Sequence, residues 1–233
     1  MKIFAFSIKH WNRTTNLLKN KIFIILSLII LLSTSCKNTD DNSISLSYDH
    51  ITLKIGESHS IYAYSIHQIE YHSTNDSIAT VDDYGTITAL FEGSCDIILD
   101  NKHETQTLTV NIPPLDFKEP YINRNGSSED IEVFMGSETH HIEHTENIDF
   151  LYFIKYHDAA QIVYWIDNSN NTLIKTECFF ENVIFERSCF QWLSDNYEYK
   201  DGYFTTNDGN TAISLRCDNG IVVMTFAAND ITF

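Results

Sequence analysis

The residues able to do chemistry fall into a few groups. Thr139-His140-His141-Ile142-Glu143-His144 is the richest in metal-ligand types. On a helix, His140 and His144 would share a face, as paired imidazole ligands of zinc do. Glu143 does not directly follow the first His, so the order is not that of a His-Glu-x-x-His hydrolase. The stretch follows Gly136 and precedes an apolar alternating run, which predicts a polar connecting loop. Asp167 to Asn171 carries calcium-ligand types, but the sixth position is not Gly and the twelfth is Cys178 in place of Glu. Five cysteines are present, Cys36, Cys95, Cys178, Cys189 and Cys217, and no two have the C-x-x-C spacing. A zinc ribbon or thiol redox pair is therefore not supported. Trp165, with Tyr197, Tyr199 and Tyr203 later in the chain, supplies flat amphipathic rings suited to a glycan or peptide platform. The competing reading is a sheet covered on both sides. No nucleophile elbow or phosphate-cradling glycine loop occurs, so no catalytic residue and no cofactor is assigned.

These residues must be positioned by the second half of the chain, expected to be a small α+β domain over 115–233. Ser127 followed by Asp130 predicts a capped helix start, with Ile131, Phe134 and Met135 on its apolar face and Gly136 as its end. Strands are expected at 151–156, 161–166 and 173–181, then a helix over 183–193. That helix carries Phe185, Cys189, Trp192 and Leu193 on one stripe. Strands at 203–205, 212–217 and 221–226 follow, the last two joined by Asp218-Asn219-Gly220. The order α-β-β-β-α-β-β-β describes an antiparallel sheet with both helices on one face. Strand parity puts Ile174, Cys178 and Phe180 on one face, and aims Cys178, Cys189 and Cys217 at one core. In an oxidising envelope this allows one disulfide involving Cys189. The 125–136 helix is locally similar to one found in small α+β lipoprotein domains, including the outer-membrane-assembly class.

Residues 44–112 read differently. Short alternating runs separated by Gly56, Asn75-Asp76, Asp82-Asp83 before Gly85, and Gly93 predict an all-β sandwich. The run Ser73-Thr74-Asn75-Asp76-Ser77-Ile78-Ala79-Thr80-Val81-Asp82-Asp83-Tyr84-Gly85-Thr86-Ile87-Thr88-Ala89 closely resembles the bacterial Ig-like domain of group 2. Leu53-Lys54-Ile55-Gly56-Glu57 matches the early element of that family. The resemblance implies a spacer or adhesion module. Tyr71 stands where the family often has Trp, and Cys95 where it has a small residue, which suggests a core thiol. Pro113-Pro114 ends this part.

The N-terminus sets the address. Lys2, Lys9, Arg13, Lys19 and Lys21 precede the apolar run Ile22 to Leu32, about half the length a membrane-spanning helix needs. A basic segment, a short apolar run and small residues form a signal peptide, here 1–35. Leu32-Ser33-Thr34-Ser35-Cys36 resembles a bacterial lipobox, with Leu one position further back than usual. The resemblance implies acylation of Cys36 and a tether over 36–43. The acidic residues after Cys36 are similar to the export signal of surface lipoproteins of Bacteroidota type. Removing 1–35 takes away five basic and no acidic residues, leaving 10 basic against 32 acidic, a net −22. Such a surface repels phosphate backbones, so nucleic acid is not an expected partner. The sequence thus describes a mainly β, lipid-anchored cell-envelope protein. Its sandwich would present a binding domain at the outer-membrane surface to a glycan or protein partner. The alternatives are a periplasm-facing structural lipoprotein and a metal-dependent hydrolase built on His140 and His144.

Overall fold

The computed structural model describes residues 42–136 and 140–229. The expected signal peptide, Cys36 and most of the expected tether lie outside the described residues. Residues 43–233 form one compact unit. Its first part contains β1 (Ser45–Leu46), β2 (His50–Thr52), β3 (Ser58–Ser60), β4 (Ala63–Tyr64), β5 (Glu70–Ser73), β6 (Ala79–Val81), β7 (Thr86–Ala89), β8 (Gly93–Asp100) and β9 (Thr105–Ile112). One sheet has the order β2-β9-β8-β5, with β2 and β9 parallel, and a second has the order β3-β7-β6. β1 and β4 form a separate short ribbon. The core lies between the sheets. Ile97, Leu99, Leu108 and Val110 come from the first and Ala79, Ile87 and Ala89 from the second, all fully buried.

The period-2 pattern produces this arrangement directly. In β8, Cys95, Ile97 and Leu99 point inward while Asp96, Ile98 and Asp100 are half-exposed. Cys95 is a core thiol, its pKa raised by burial. Gly85 has φ +78°, and a Cβ there would lie 2.9 Å from the Tyr71 ring. The turn requires glycine both for its backbone and for the ring that closes over it.

The second part begins with α1 (Ser128–Met135) and continues through β10 (His140–His144), β11 (Ile148–Tyr156), β12 (Ala159–Asp167) and β13 (Thr172–Phe180). Then come α2 (Phe185–Asn196), β14 (Glu198–Lys200), β15 (Tyr203–Thr205), β16 (Thr211–Asp218) and β17 (Ile221–Ala228). The eight strands make one antiparallel sheet in the order β10-β11-β12-β13-β17-β16-β15-β14. The capping box of α1 is formed. The Asp130 amide donates to the Ser127 hydroxyl, and the Ser127 amide donates to the Asp130 carboxylate at 2.9 Å. The β16–β17 turn is the two-residue kind expected, with Asn219 and Gly220 both at positive φ.

Both helices lie on one face of the sheet. Buried Tyr164 donates its hydroxyl to Met135 Sδ at 3.3 Å, tying α1 to β12. Cys189 and Leu193 of α2 are fully buried, and α2 packs on β16 and β17. Phe117 fits between, edge-on to Trp192 at 4.8 Å.

Several expectations need correction. Residues 140–144 form an edge strand, not a loop, and Glu198–Lys200 adds the opposite edge. Both were hidden because an edge segment buries little and so shows no strong alternation. The register skips between Trp165 and Ile166, placing a bulge at Ile174. The bulge reverses parity, so Leu173 is buried and Ile174 only partly so. Phe134 is half-exposed against Tyr121 and does not lie in the core. Cys217 is exposed although it pairs with buried Val222, because it sits near the end of β16. The four described cysteines are free thiols.

The two parts meet at a defined junction. Arg187 of α2 places its guanidinium 3.7 Å from the Phe91 ring centroid and reaches the Ser77 carbonyl. The Asp158 carboxylate accepts the Lys54 ammonium at 3.2 Å and the Asp116 amide at 2.7 Å.

Gly85→Ala is expected to destabilise the protein by about 2–3 kcal/mol, combining left-handed strain with displacement of Tyr71. Urea denaturation of the two proteins checks this, and an unchanged midpoint would contradict the account of the turn.

Candidate functional site

The side of the sheet away from the helices carries the most unusual chemistry. Alternation along β11 sends Leu151 and Phe153 to the helices and Phe150 and Tyr152 to the other side. Across the ladder, Phe150 pairs with Trp165, and Trp165 with Lys175. Tyr152 pairs with His141 on one side and Val163 on the other, and Val163 pairs with Glu177. The register therefore assembles a strip of rings from three strands.

The strip has a regular geometry. His141 and Tyr152 lie near parallel with centroids 6.3 Å apart, as do Tyr152 and Phe150 at 6.2 Å. Trp165 meets Phe150 edge-on at 4.7 Å. Lys175 Nζ sits 3.7 Å over the Trp165 ring. The Tyr152 hydroxyl donates to Glu143 at 3.1 Å, and its pKa is raised, first by burial and then by that carboxylate. Trp165 Nε1 has no acceptor among the described residues.

Beside the strip is a buried acid. Glu177 is 3% exposed. Its carboxylate meets Lys175 Nζ at 3.1 Å and Arg216 at 3.2 Å, and Thr225 donates to it at 3.4 Å. Two cations on one carboxylate leave a local excess of positive charge in a strongly acidic molecule. Sequence patterning missed Glu177, since an acid in a strand normally marks the solvent side. The signal available was the pair Lys175 and Glu177, two residues apart and hence on one face.

The residues singled out from sequence do not all converge. Trp165 lies at the centre of the strip. Tyr197 follows α2 on the helix side, where it packs against Trp192 and Phe226 and donates to Glu119. Burial and that carboxylate raise its pKa. Tyr199 packs on Phe190 and Phe204, also on the helix side. Tyr203 lies in β15, four strands from Trp165, roughly 19 Å away at normal strand spacing. A four-ring platform is thus not formed, because parity and strand order separate its members. His140 and His144 are four residues apart on a strand, roughly 13 Å, too far to share an ion. His144 instead pairs with Asp149 at 2.9 Å. No group of three or more acidic, His or Cys side chains suited to a metal occurs among the described residues.

A polar cleft of about 660 Å³ lies between the 122–125 loop and the β15–β16 turn, lined by Asn123, Arg124, Asp208 and Asn210. Its acid and amides are engaged in holding the turns. Asp208 accepts from Thr206 and from Asn210, and these bonds lower its pKa. The aromatic strip is the better candidate for a ligand.

Comparison with known proteins identifies the first part. Residues 42–112 match the family model of the bacterial Ig-like domain (group 2). The N-terminal part is an Ig-like β-sandwich. No curated protein matches the chain. Among solved structures, domains 5–6 of the S-layer protein SbsC are 13% identical, covering 80% of this chain and 83% of that one, with a TM-score of 0.26. Domains 4–9 of SbsC are 13% identical over 80% of this chain and 27% of that one, with a TM-score of 0.27. The LolA superfamily protein NE2245 from Nitrosomonas europaea is 11% identical over 70% of this chain and 85% of that one, with a TM-score of 0.20. Scores this low mean poor superposition. No helix of the described residues is long and apolar enough to cross a membrane.

Replacing Lys175 and Arg216 together by Ala leaves Glu177 buried and unpaired, an expected loss of about 3 kcal/mol or more. Each single variant should lose much less, since one cation remains. Denaturation curves of the three variants check this, and additive small losses would contradict it.

Proposed function

We propose that this protein is a lipid-anchored cell-envelope protein, displayed at the surface, whose Ig-like sandwich presents the C-terminal α+β domain to a glycan. Cys36 is the anchor, residues 36–43 the tether, 44–112 the spacer and 115–233 the binding domain. The observation carrying the binding role is the strip of Phe150, Tyr152 and Trp165 on a sheet face that neither helix occupies. Aromatic rings stack on the apolar faces of sugars, and the charged groups at its margin can bond hydroxyls. The chain enters the sandwich beside the β8–β9 turn, where the Ile44 amide donates to Glu104, and leaves it at the other end of β9 towards the second part, which supports the display reading. The His140 and His144 spacing gives the hydrolase reading no support.

Protease treatment of intact cells tests the display. Residues 115–233 are expected to be cleaved from wild-type cells, and the Cys36→Ala protein to leave the membrane fraction. A membrane-bound domain that resists protease would place it on the periplasmic side. A glycan array probed with full-length protein tests the binding face. Trp165→Leu stays apolar but lacks the π-surface, and should weaken retention at least about tenfold. Equal retention by both proteins would remove the strip from the binding site.

A further inference from the structure

The large apolar side chains exposed on the sandwich are gathered at one pole. Tyr62, Tyr64, Ile66 and Tyr84 are 67%, 69%, 59% and 89% exposed. Tyr62 and Tyr64 flank Ala63 of β4 and so share a side, and Ile66 follows at the bend just beyond it. Tyr84 joins them through the neighbouring turn, where the Ile61 amide donates to the Gly85 carbonyl at 2.9 Å.

Strand direction shows which pole this is. The junction with the second part involves Gly56, Ser77 and Phe91. β8 starts beside Phe91 and runs away from it to Asp100, which pairs with Glu70 of β5. β7 likewise runs from Thr86 at the far end to Ala89, bonded to Glu57 at the junction end. Ile66 and Tyr84 therefore lie away from the junction. The chain enters at the same far end. The Ile44 amide donates to Glu104 at 2.8 Å, and Ser45 pairs with Tyr64. From Cys36 to Ser43 the chain can extend at most about 25 Å. An acyl anchor on Cys36 would hold this pole, and not the binding domain, within that distance of the bilayer.

We infer that this pole rests on a zwitterionic lipid headgroup surface through Tyr62, Tyr64, Ile66 and Tyr84, an inference that rests on the anchoring reading above. Tyrosine suits the interface, where its ring is buried among headgroups and its hydroxyl remains wet. Charge decides between lipid classes. Asp82, Asp83, Asp100 and Glu104 surround the patch, while the adjacent Lys102 is paired with Glu70 at 2.8 Å. No basic cluster borders the patch among the described residues, and the acids would repel anionic lipid. Seated this way, the sandwich stands upright on the membrane and its junction end points outward.

Hydroxyl-radical labelling of the full-length lipidated protein in phosphatidylcholine vesicles, after flotation, tests the inference. Tyr199, 55% exposed in the second part, is the internal reference. Side-chain exposure alone makes Tyr84 the more reactive of the two. Docking reverses this, and Tyr62 and Tyr84 should label at least about threefold less than Tyr199. In a Tyr64→Asp/Ile66→Asp variant, which still floats through its lipid, that protection should disappear. Flotation of the wild type with Tyr84 labelled more than Tyr199 overturns docking and leaves the anchor standing. Failure to float overturns both. Protection of Tyr84 before any lipid is added overturns the inference in favour of a second protein copy at this pole.

Discussion

The pairing of β13 with β17 holds the second half of the molecule together. Residues 175–180 meet residues 222–227 in antiparallel register, joining two four-stranded meanders into one sheet. Each meander alone would be local in sequence and would bury little. Joined, they give α1 and α2 a common floor, with Tyr164, Cys178, Phe180, Met224 and Phe226 all buried on it. The contact closes a long loop and therefore costs chain entropy, which only the burial of that continuous face can offset. The ring strip depends on the same register, since Trp165, Lys175 and Ala227 are aligned through β13.

The two faces of this sheet solve different problems. The helix face is conventional core, and its buried Tyr164 hydroxyl donates to Met135 and accepts from the Tyr121 amide. Burial pushes that phenol's pKa well up, and it stays neutral. The other face holds a carboxylate under long side chains, bracketed by two cations. A hydrophobic residue at 177 would cost less desolvation than this ion cluster. Retaining charge beside aromatic rings is what a binding surface needs, as rings supply contact area and charges supply direction.

The sandwich and the sheet are joined by short-range chemistry at one end of the sandwich. Arg187 on Phe91, Lys54 on Asp158 and buried Leu115 and Phe117 make the linker part of the packing. With exposed tyrosines at the opposite end, the sandwich is polar along its long axis. As the proposed spacer, a sandwich with this asymmetry would set an orientation as well as a distance.

The sequence by itself determined the elements whose signals are local. The α1 capping box, the Asn219-Gly220 turn, the alternation of Cys95, Ile97 and Leu99, and the sandwich motif around Ala79 and Gly85 were legible because each depends on residues a few positions apart. Only the tertiary structure decided which residues share a surface. Sequence reading grouped Trp165 with Tyr197, Tyr199 and Tyr203, yet strand order and parity scatter them. His141, Phe150 and Tyr152 take their place because pairing across β10, β11 and β12 is a long-range choice. The bulge at Ile174 shows the reason most directly. One extra residue in a ladder exchanges inside for outside, and that residue is selected by the partner strand, which no local pattern encodes.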